Sequence, residues 1–109
     1  MTDTRTPPGV RFAHAHGLFD AAEYQPAAAL LAELAVEVPD DLAVRLLLAR
    51  AYYHSAQLHR AEAETRAVLD ADPANAYAHL LLGRTLERQS RHDEAGGPLR
   101  LAAAMGLVA

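Results

Sequence analysis

The sequence predicts an all-α protein of the α-solenoid type, a helix–turn–helix repeat array of three units with about six helices. Ala and Leu dominate the apolar 51% of its 109 residues, and only 6% of the residues are aromatic. Ala and Leu are strong helix formers, whereas the β-branched residues that favour strands are few. Pro39 and Pro73 each follow a helical segment and so mark a period of about 34 residues, in the range of helical repeat arrays.

The step from Pro39 to Pro73, called the repeat step below, runs through the whole chain in matched size classes. Ala15, Ala49 and Gly83 follow it, and these small residues let helices approach closely. We therefore expect one domain over residues 8–109, with units at about 8–41, 42–75 and 76–109, after a flexible N-terminal tail over residues 1–7. The other matched sets are Leu18, Tyr52 and Leu86; Tyr24, Leu58 and His92; Ala27, Ala61 and Ala95; and Leu34, Val68 and Ala102.

Local signals divide each unit into two helices. In the first unit, Pro26 suits the first turn of a second helix, where its missing N–H is not needed. In the second unit, Asp40 or Asp41 can cap a helix that runs to about His54, and Asn75 stands at the matching place in the third unit. Turns are then expected near residues 22–25, 56–59 and 90–93.

Two stretches leave the helix pattern open. RAYYHSAQLHRAEAE, residues 50–64, contains neither Gly nor Pro, so a single helix through it is locally plausible. The repeat favours two helices joined around residues 55–58. In the last unit, GGP at residues 96–98 interrupts the second helix. Because Pro98 removes a hydrogen bond and clashes with the preceding turn, we expect that helix to kink or to restart at Pro98.

Each unit carries small residues, an aromatic or bulky residue three positions further on, and an Ala in the second helix, and the first two units end in Pro. The stretches are LLLARAYYHSAQLHRAEAETRAVLDADP, LLLGRTLERQSRHDEA and the looser FAHAHGLFDAAEYQPAAALLAELAVEVP. Over about residues 8–107 this pattern resembles the tetratricopeptide repeat (TPR) family. The resemblance implies a right-handed superhelix whose concave face is lined by the first helix of each unit. The sequence departs from the family pattern at His14, Thr65, Leu107 and the GGP stretch.

The resemblance places aromatic, aliphatic and basic side chains on this concave face, the groove. Arg50 and Arg84 occupy the same position in successive units, and His16 has that position in the first. Rings bury much area and Arg holds carboxylates bidentately, so we expect an adaptor that binds a partner protein or peptide with acidic and apolar side chains. Alternatively, these arginines are solvated charges paired with neighbours such as Glu87. The predicted groove residues are Phe12, His16, Phe19, Leu46, Arg50, Tyr53, His54, Tyr77, Leu80, Arg84 and Arg88.

The C-terminal stretch LRLAAAMGLVA suggests a second hypothesis. Helical arrays need a polar helix to cover their last apolar face, and none follows here. An uncovered patch favours self-association, most simply as a closed symmetric dimer, unless the last helix folds back on itself. The alternative function is therefore a structural homo-oligomer. The predicted self-association residues are Leu99, Leu101, Met105, Leu107 and Val108.

Composition argues against several other functions. The chain has no Cys, which excludes disulfides and thiolate zinc sites. Its formal net charge of −4 argues against nucleic acid as a partner. The sequence has no apolar run of membrane-span length and a polar start unlike a signal peptide, so we expect a cytoplasmic protein without a membrane partner.

Motifs for catalysis, metals and chaperone tails are also missing. His14 and His16 are two residues apart, on different sides of a helix, so no metal pair is expected, and His14 and His79 are predicted as partly buried packing residues. No nucleophile has a positioned base and GGP is not a phosphate loop, so we expect neither enzymatic activity nor a cofactor. Chaperone-binding TPR clamps have Asn and Lys where this chain has His16, Leu47 and Ala43.

Overall fold

The computed structural model describes residues 6–107, and this part of the chain forms six α-helices without any strand. The first helices of the three pairs begin one repeat step apart, and the second helices do the same, which confirms the predicted all-α repeat array. Residues 1–5 of the expected N-terminal tail, and Val108, lie outside the described residues. The helices are α1 (Pro8–Asp20), α2 (Tyr24–Glu37), α3 (Leu42–His54), α4 (Leu58–Ala71), α5 (Ala76–Arg88) and α6 (His92–Ala104).

The turn inside each unit has one repeated backbone geometry. Ala22, Ala56 and Ser90, which are related by the repeat step, have φ angles of 61°, 61° and 60°, in the left-handed region. The next residue donates its N–H to a carbonyl five residues back, as Gln57 does to Tyr52 at 2.8 Å, which is the Schellman arrangement. Residues 50–64 therefore contain two helices, as the repeat predicted.

Two of the predicted caps are present at the first helices of units two and three. Asp41, rather than Asp40, accepts hydrogen bonds from the backbone N–H groups of Ala43 and Val44 at 3.0 and 3.2 Å. Asn75 accepts one from Ala78 at 3.0 Å. These bonds satisfy N–H groups that have no partner within the helix, so units two and three have defined starts.

Successive helices pack as antiparallel neighbours around small residues. Ala15, Ala49 and Gly83 are all buried. At Gly83 the helices α5 and α6 approach closely, because a Cβ there would lie 2.5 Å from Leu99 Cδ2. Leu99 in turn packs against Leu86 and its buried neighbours. The small residues of the repeat thus set the distance between helices.

The expectation that α6 restarts at Pro98 is wrong. The helix runs without interruption from His92 to Ala104, with Pro98 inside it. Pro98 removes one hydrogen bond to the turn before it. The fully buried Ala95 and Ala102, on either side of Pro98, hold both halves of α6 against the core. This packing outweighs the lost bond.

Buried and half-buried ion pairs connect the helices. Arg11, 7% exposed, donates two hydrogen bonds to the Glu37 carboxylate at 2.5 and 2.7 Å and so joins α1 to the end of α2. Glu62 on α4 accepts bonds from Arg91 at 2.6 Å and from Arg66 at 3.0 Å. Burial alone would raise the pKa of Glu62, but the hydrogen bonds from Arg91, Gln89 and Arg66 lower it to about 2. Arg91 belongs to unit three, so the pair links two units.

The two predicted packing histidines have different surroundings. His14 is exposed, so that prediction is wrong. Its equivalents Leu48 and Leu82 are buried against a preceding unit, and among the described residues no helix precedes α1. His79 is partly buried, and its Nε2 lies 2.7 Å from the Pro73 carbonyl oxygen. Over residues 6–107, no helix is long and apolar enough to cross a bilayer.

Candidate protein-binding groove

Arg50 lies at the centre of the groove, between two aromatic rings. Its guanidinium carbon is 4.6 Å from the centroid of the Phe19 ring and 5.4 Å from that of Tyr77. The rings belong to the first helices of the neighbouring units, α1 and α5. Arg50 Nε is buried and has no hydrogen-bond partner among the described residues. An unpaired buried donor costs about 1–3 kcal/mol. A hydrogen-bond acceptor placed beside Arg50 Nε would remove this cost.

A pocket of about 200 Å³ opens beside Arg50. Its wall combines two guanidinium groups with rings and aliphatic side chains, so a ligand in it meets positive charge and apolar surface together. Convergence of a few polar groups in a mainly apolar concavity is typical of binding sites. The lining residues are Arg50, Tyr53, His54, Tyr77, Leu80, Leu81 and Arg84.

Arg88 extends the positive side of the groove. Its guanidinium carbon lies 4.7 Å from the centroid of the Tyr53 ring, and its Nη1 donates to the Tyr53 carbonyl oxygen at 2.8 Å. These contacts join α5 to α3 and fix the position of the charge. The Arg88 side chain is thus ordered before any ligand arrives.

His54 forms the edge of an aromatic cluster next to these arginines. Its ring stacks on Tyr24 at a centroid distance of 4.7 Å and 18° between planes, and lies edge-on to Phe19 at 5.5 Å. Burial, and then the charges of Arg50 and Arg88, lower the pKa of His54. Burial therefore favours the neutral imidazole most, and the positive charges that add to this effect would attract an anionic ligand.

The groove arginines differ from the other arginines in their partners. Among the described residues, no carboxylate pairs with Arg50, Arg84 or Arg88, and none of them is bonded to the neighbouring Glu87. Four arginines elsewhere pair with Glu side chains: Arg11, Arg45, Arg66 and Arg91. The paired-charge alternative therefore does not describe the groove, although the chain as a whole has a formal charge of −4.

Five predicted groove residues do not line this pocket, and two of these, Phe19 and Arg88, contact its lining residues Arg50 and Tyr53. The other three are Phe12, His16 and Leu46. Phe12 and His16 contact each other edge-on at 6.1 Å, and His16 Nδ1 lies 3.2 Å from an Asp20 carboxylate oxygen. Leu46 is half-buried and does not line the pocket. Over residues 6–107, no group of three or more His, Asp or Glu residues is arranged to hold a metal ion.

Sequence reasoning missed Tyr24, whose ring stacks on His54 and contacts Phe19 at 5.2 Å. Tyr24 opens α2, so a rule that assigns the concave face to the first helices alone leaves it out. The signal was its position directly after the α1–α2 turn, which brings the start of α2 beside the end of α3.

The predicted self-association residues at the C-terminal end have mixed environments. Leu99 is half-buried and packs on Leu86 and its neighbours, and Leu107 is half-buried. Leu101 and Met105 are 49% and 43% exposed. Among the described members of this set, Leu101 and Met105 are therefore the ones that leave much apolar surface exposed.

Comparisons with known structures place the fold. A MamA R50E mutant superposes with a TM-score of 0.88 at 21% identity, covering 95% of this chain and 77% of that one. MamA 41-end from Desulfovibrio magneticus RS-1 superposes with a TM-score of 0.87 at 20% identity. The match covers 94% of this chain, which spans 58% of the length of that one. The likeness to these structures extends over nearly the whole chain, and the fold is a TPR-like all-α repeat array.

A third match is the Yersinia enterocolitica type III secretion chaperone SycD, crystallised in complex with a peptide of the translocator YopD. Its TM-score is 0.85 at 16% identity, covering 95% of this chain and 81% of that one. No protein-family model and no curated protein sequence matches the chain.

Proposed function

We propose that this protein is an interaction module whose groove binds a segment of a partner protein carrying at least one carboxylate and apolar side chains. One observation carries the proposal. Arg50 and Arg84 line one pocket without a carboxylate partner among the described residues, and Arg50 Nε is buried without an acceptor. An acidic side chain from a partner supplies what these groups lack.

The geometry suggests how the segment is held. A carboxylate between Arg50 and Arg84 accepts charge-assisted hydrogen bonds, which are about twice as strong as neutral ones. An apolar neighbour on the segment packs against Tyr77 and Leu80 in the same pocket. Because Arg50 is already fixed between two rings, little side-chain entropy is lost on binding.

The SycD match adds support from outside the chain. That protein has the same fold and is seen with a peptide of a partner. At 16% identity the likeness concerns the fold, so the chemistry of the ligand is argued from the groove of this chain alone.

Affinity capture from the native lysate, read by mass spectrometry, tests the proposal. The wild type is compared with an Arg50→Glu, Arg84→Glu variant and with an Arg60→Glu, Arg66→Glu control. The control makes the same change in net charge on α4, outside the pocket. All three are first checked by circular dichroism for equal helix content.

We expect a protein that the wild type and the control retain and the groove variant loses. Titrating an acidic segment of that protein should then show affinity weakened at least tenfold by the groove substitutions. Equal retention by all three proteins contradicts the groove proposal.

A further inference from the structure

One face of α1 is exposed although its equivalents in the other units are buried. The equivalent residues of α3 lie one repeat step further along the chain, and those of α5 lie two steps further. Both sets pack against the helix that precedes their own. The exposed α1 residues are Val10, Ala13, His14 and Gly17, and the buried equivalents are Val44, Leu47, Leu48 and Ala51 in α3 and Ala78, Leu81, Leu82 and Thr85 in α5. We call this face of α1 the head.

The complementary face belongs to α6. In α2, Ala28, Leu31 and Ala35 are buried in one cluster with α3. Their equivalents in α6 are Gly96, Leu99 and Ala103, of which the first two are half-buried and the third is exposed. We call these three residues, together with the exposed Arg100, the tail. The residues of α6 that face its own partner helix, Ala95 and Ala102, remain buried.

The repeat spacing lets these two faces meet. If the head of a second copy packs on the tail of the first, α1 of the second copy lies beside α6 of the first as α3 lies beside α2 within the chain. The junction then has the geometry of the α2–α3 and α4–α5 junctions inside the chain.

Charge complementarity supports this register. At the α4–α5 junction, Arg91 pairs with Glu62 across the units at 2.6 Å. The residue equivalent to Glu62 in the tail is Gly96. The Arg100 side chain lies beside it, since a Cβ atom added to Gly96 would be 3.0 Å from Arg100 Nη1. The residue equivalent to Arg91 next to the head is Glu23. Compared with the Glu62–Arg91 pair, the tail thus carries the positive charge and the residue next to the head carries the negative one. Neither Arg100 nor Glu23 has an ion-pair partner among the described residues.

We propose that copies of this chain associate head to tail, with α6 of one copy packed on α1 of the next and Glu23 paired with Arg100 across the junction. Such a heterologous contact does not close on itself and extends the array. It differs from the closed symmetric dimer that the C-terminal sequence suggested, which uses the same face of both copies. It is also independent of what the groove binds.

Two variants with one blocked face each test the contact. Val10→Asp places a carboxylate in the head, and Val10 is 58% exposed near the start of α1, where an acidic residue suits the helix. Ala103→Arg places a cation in the tail near the end of α6, where a basic residue suits the helix. Sedimentation velocity is measured for the wild type, for each variant and for their equimolar mixture.

We expect the wild type to form species that grow with concentration, each variant to be monomeric, and the mixture to give a 1:1 dimer through the two faces left intact. A single reversal, Glu23→Arg or Arg100→Glu, should weaken wild-type association by up to roughly fivefold, and the double reversal should restore it. Three results overturn the proposal: a monomeric wild type at all soluble concentrations, a Val10→Asp variant that still forms a fixed dimer, or a mixture that stays monomeric.

Discussion

Gly83→Ala is expected to destabilise the protein although Ala is the better helix former. An added Cβ would lie 2.5 Å from Leu99 Cδ2 and 2.6 Å from Leu99 Cγ, far inside van der Waals contact. Leu99 packs against the core of unit three and has little room to retreat. Overpacking of this kind costs about 1–3 kcal/mol, while the gain in helix propensity is about 1 kcal/mol. We therefore expect a net loss of up to about 2 kcal/mol.

Urea denaturation followed by circular dichroism measures this loss, and Gly17→Ala is the matched control. Gly17 is also helical, but a Cβ there meets no atom within 4 Å. Only the propensity gain remains, so Gly17→Ala should stabilise by about 0.5 kcal/mol. Both proteins are measured at the same low concentration, because Gly17 lies in the head.

A double-mutant cycle isolates the contact between α5 and α6. Leu99→Ala removes the atoms that clash, so Gly83→Ala should cost less in that background than in the wild type. A Gly83→Ala protein as stable as Gly17→Ala would show that the two helices do not approach as closely as the structure indicates. The reasoning about small residues in the repeat would then fail.

Three further predictions concern the turn, the unit junction and the groove. Ala22→Gly, at a φ of 61°, should raise the free energy of unfolding by about 0.5–1 kcal/mol, whereas Ala21→Gly, at a φ of −84°, should lower it, as urea melts can check. The pKa of Glu62 is about 2 in the folded protein, well below its unfolded value of 4.5. The contribution of ionised Glu62 to the free energy of unfolding is therefore fully present above pH 4.5 and disappears as the pH falls towards 2. Urea melts across that range should show a loss that Glu62→Gln removes. An acidic ligand should raise the lowered pKa of His54. The affinity for that ligand, measured by calorimetry, should therefore increase as the pH falls towards and below 6.5, the ordinary histidine value, and increase less in His54→Phe.

The sequence predicted the array because its signals are local and repeated. Spacing alone related Ala15, Ala49 and Gly83, and the structure buries all three. The caps at Asp41 and Asn75 could be read for the same reason, since a capping side chain acts on the residues directly after it.

Features that depend on long-range packing could not be read in this way. The buried Arg11 pairs with Glu37, 26 residues away, and no spacing rule selects that partner. The continuation of α6 through Pro98 depends on the core beneath it, which outweighs the local preference. His14 is exposed because no described helix packs on its face of α1, and the residue pattern alone does not contain that information.

The candidate site was only partly predictable for a related reason. The repeat register identified Arg50 and Arg84 as neighbours on one face, and both line the pocket. It could not show that Phe19 and Tyr77 enclose Arg50, nor that Arg88 reaches back to Tyr53, because these contacts join different units. Whether a charge is paired or free depends on such contacts.

Selection from a random peptide library displayed on phage tests the groove most directly, with the wild type and the Arg50→Glu, Arg84→Glu variant as separate baits. The account predicts that the wild type enriches peptides with Asp or Glu beside an apolar residue, and that the variant loses those peptides. Enrichment of peptides without acidic residues, or of the same peptides by both baits, would contradict it.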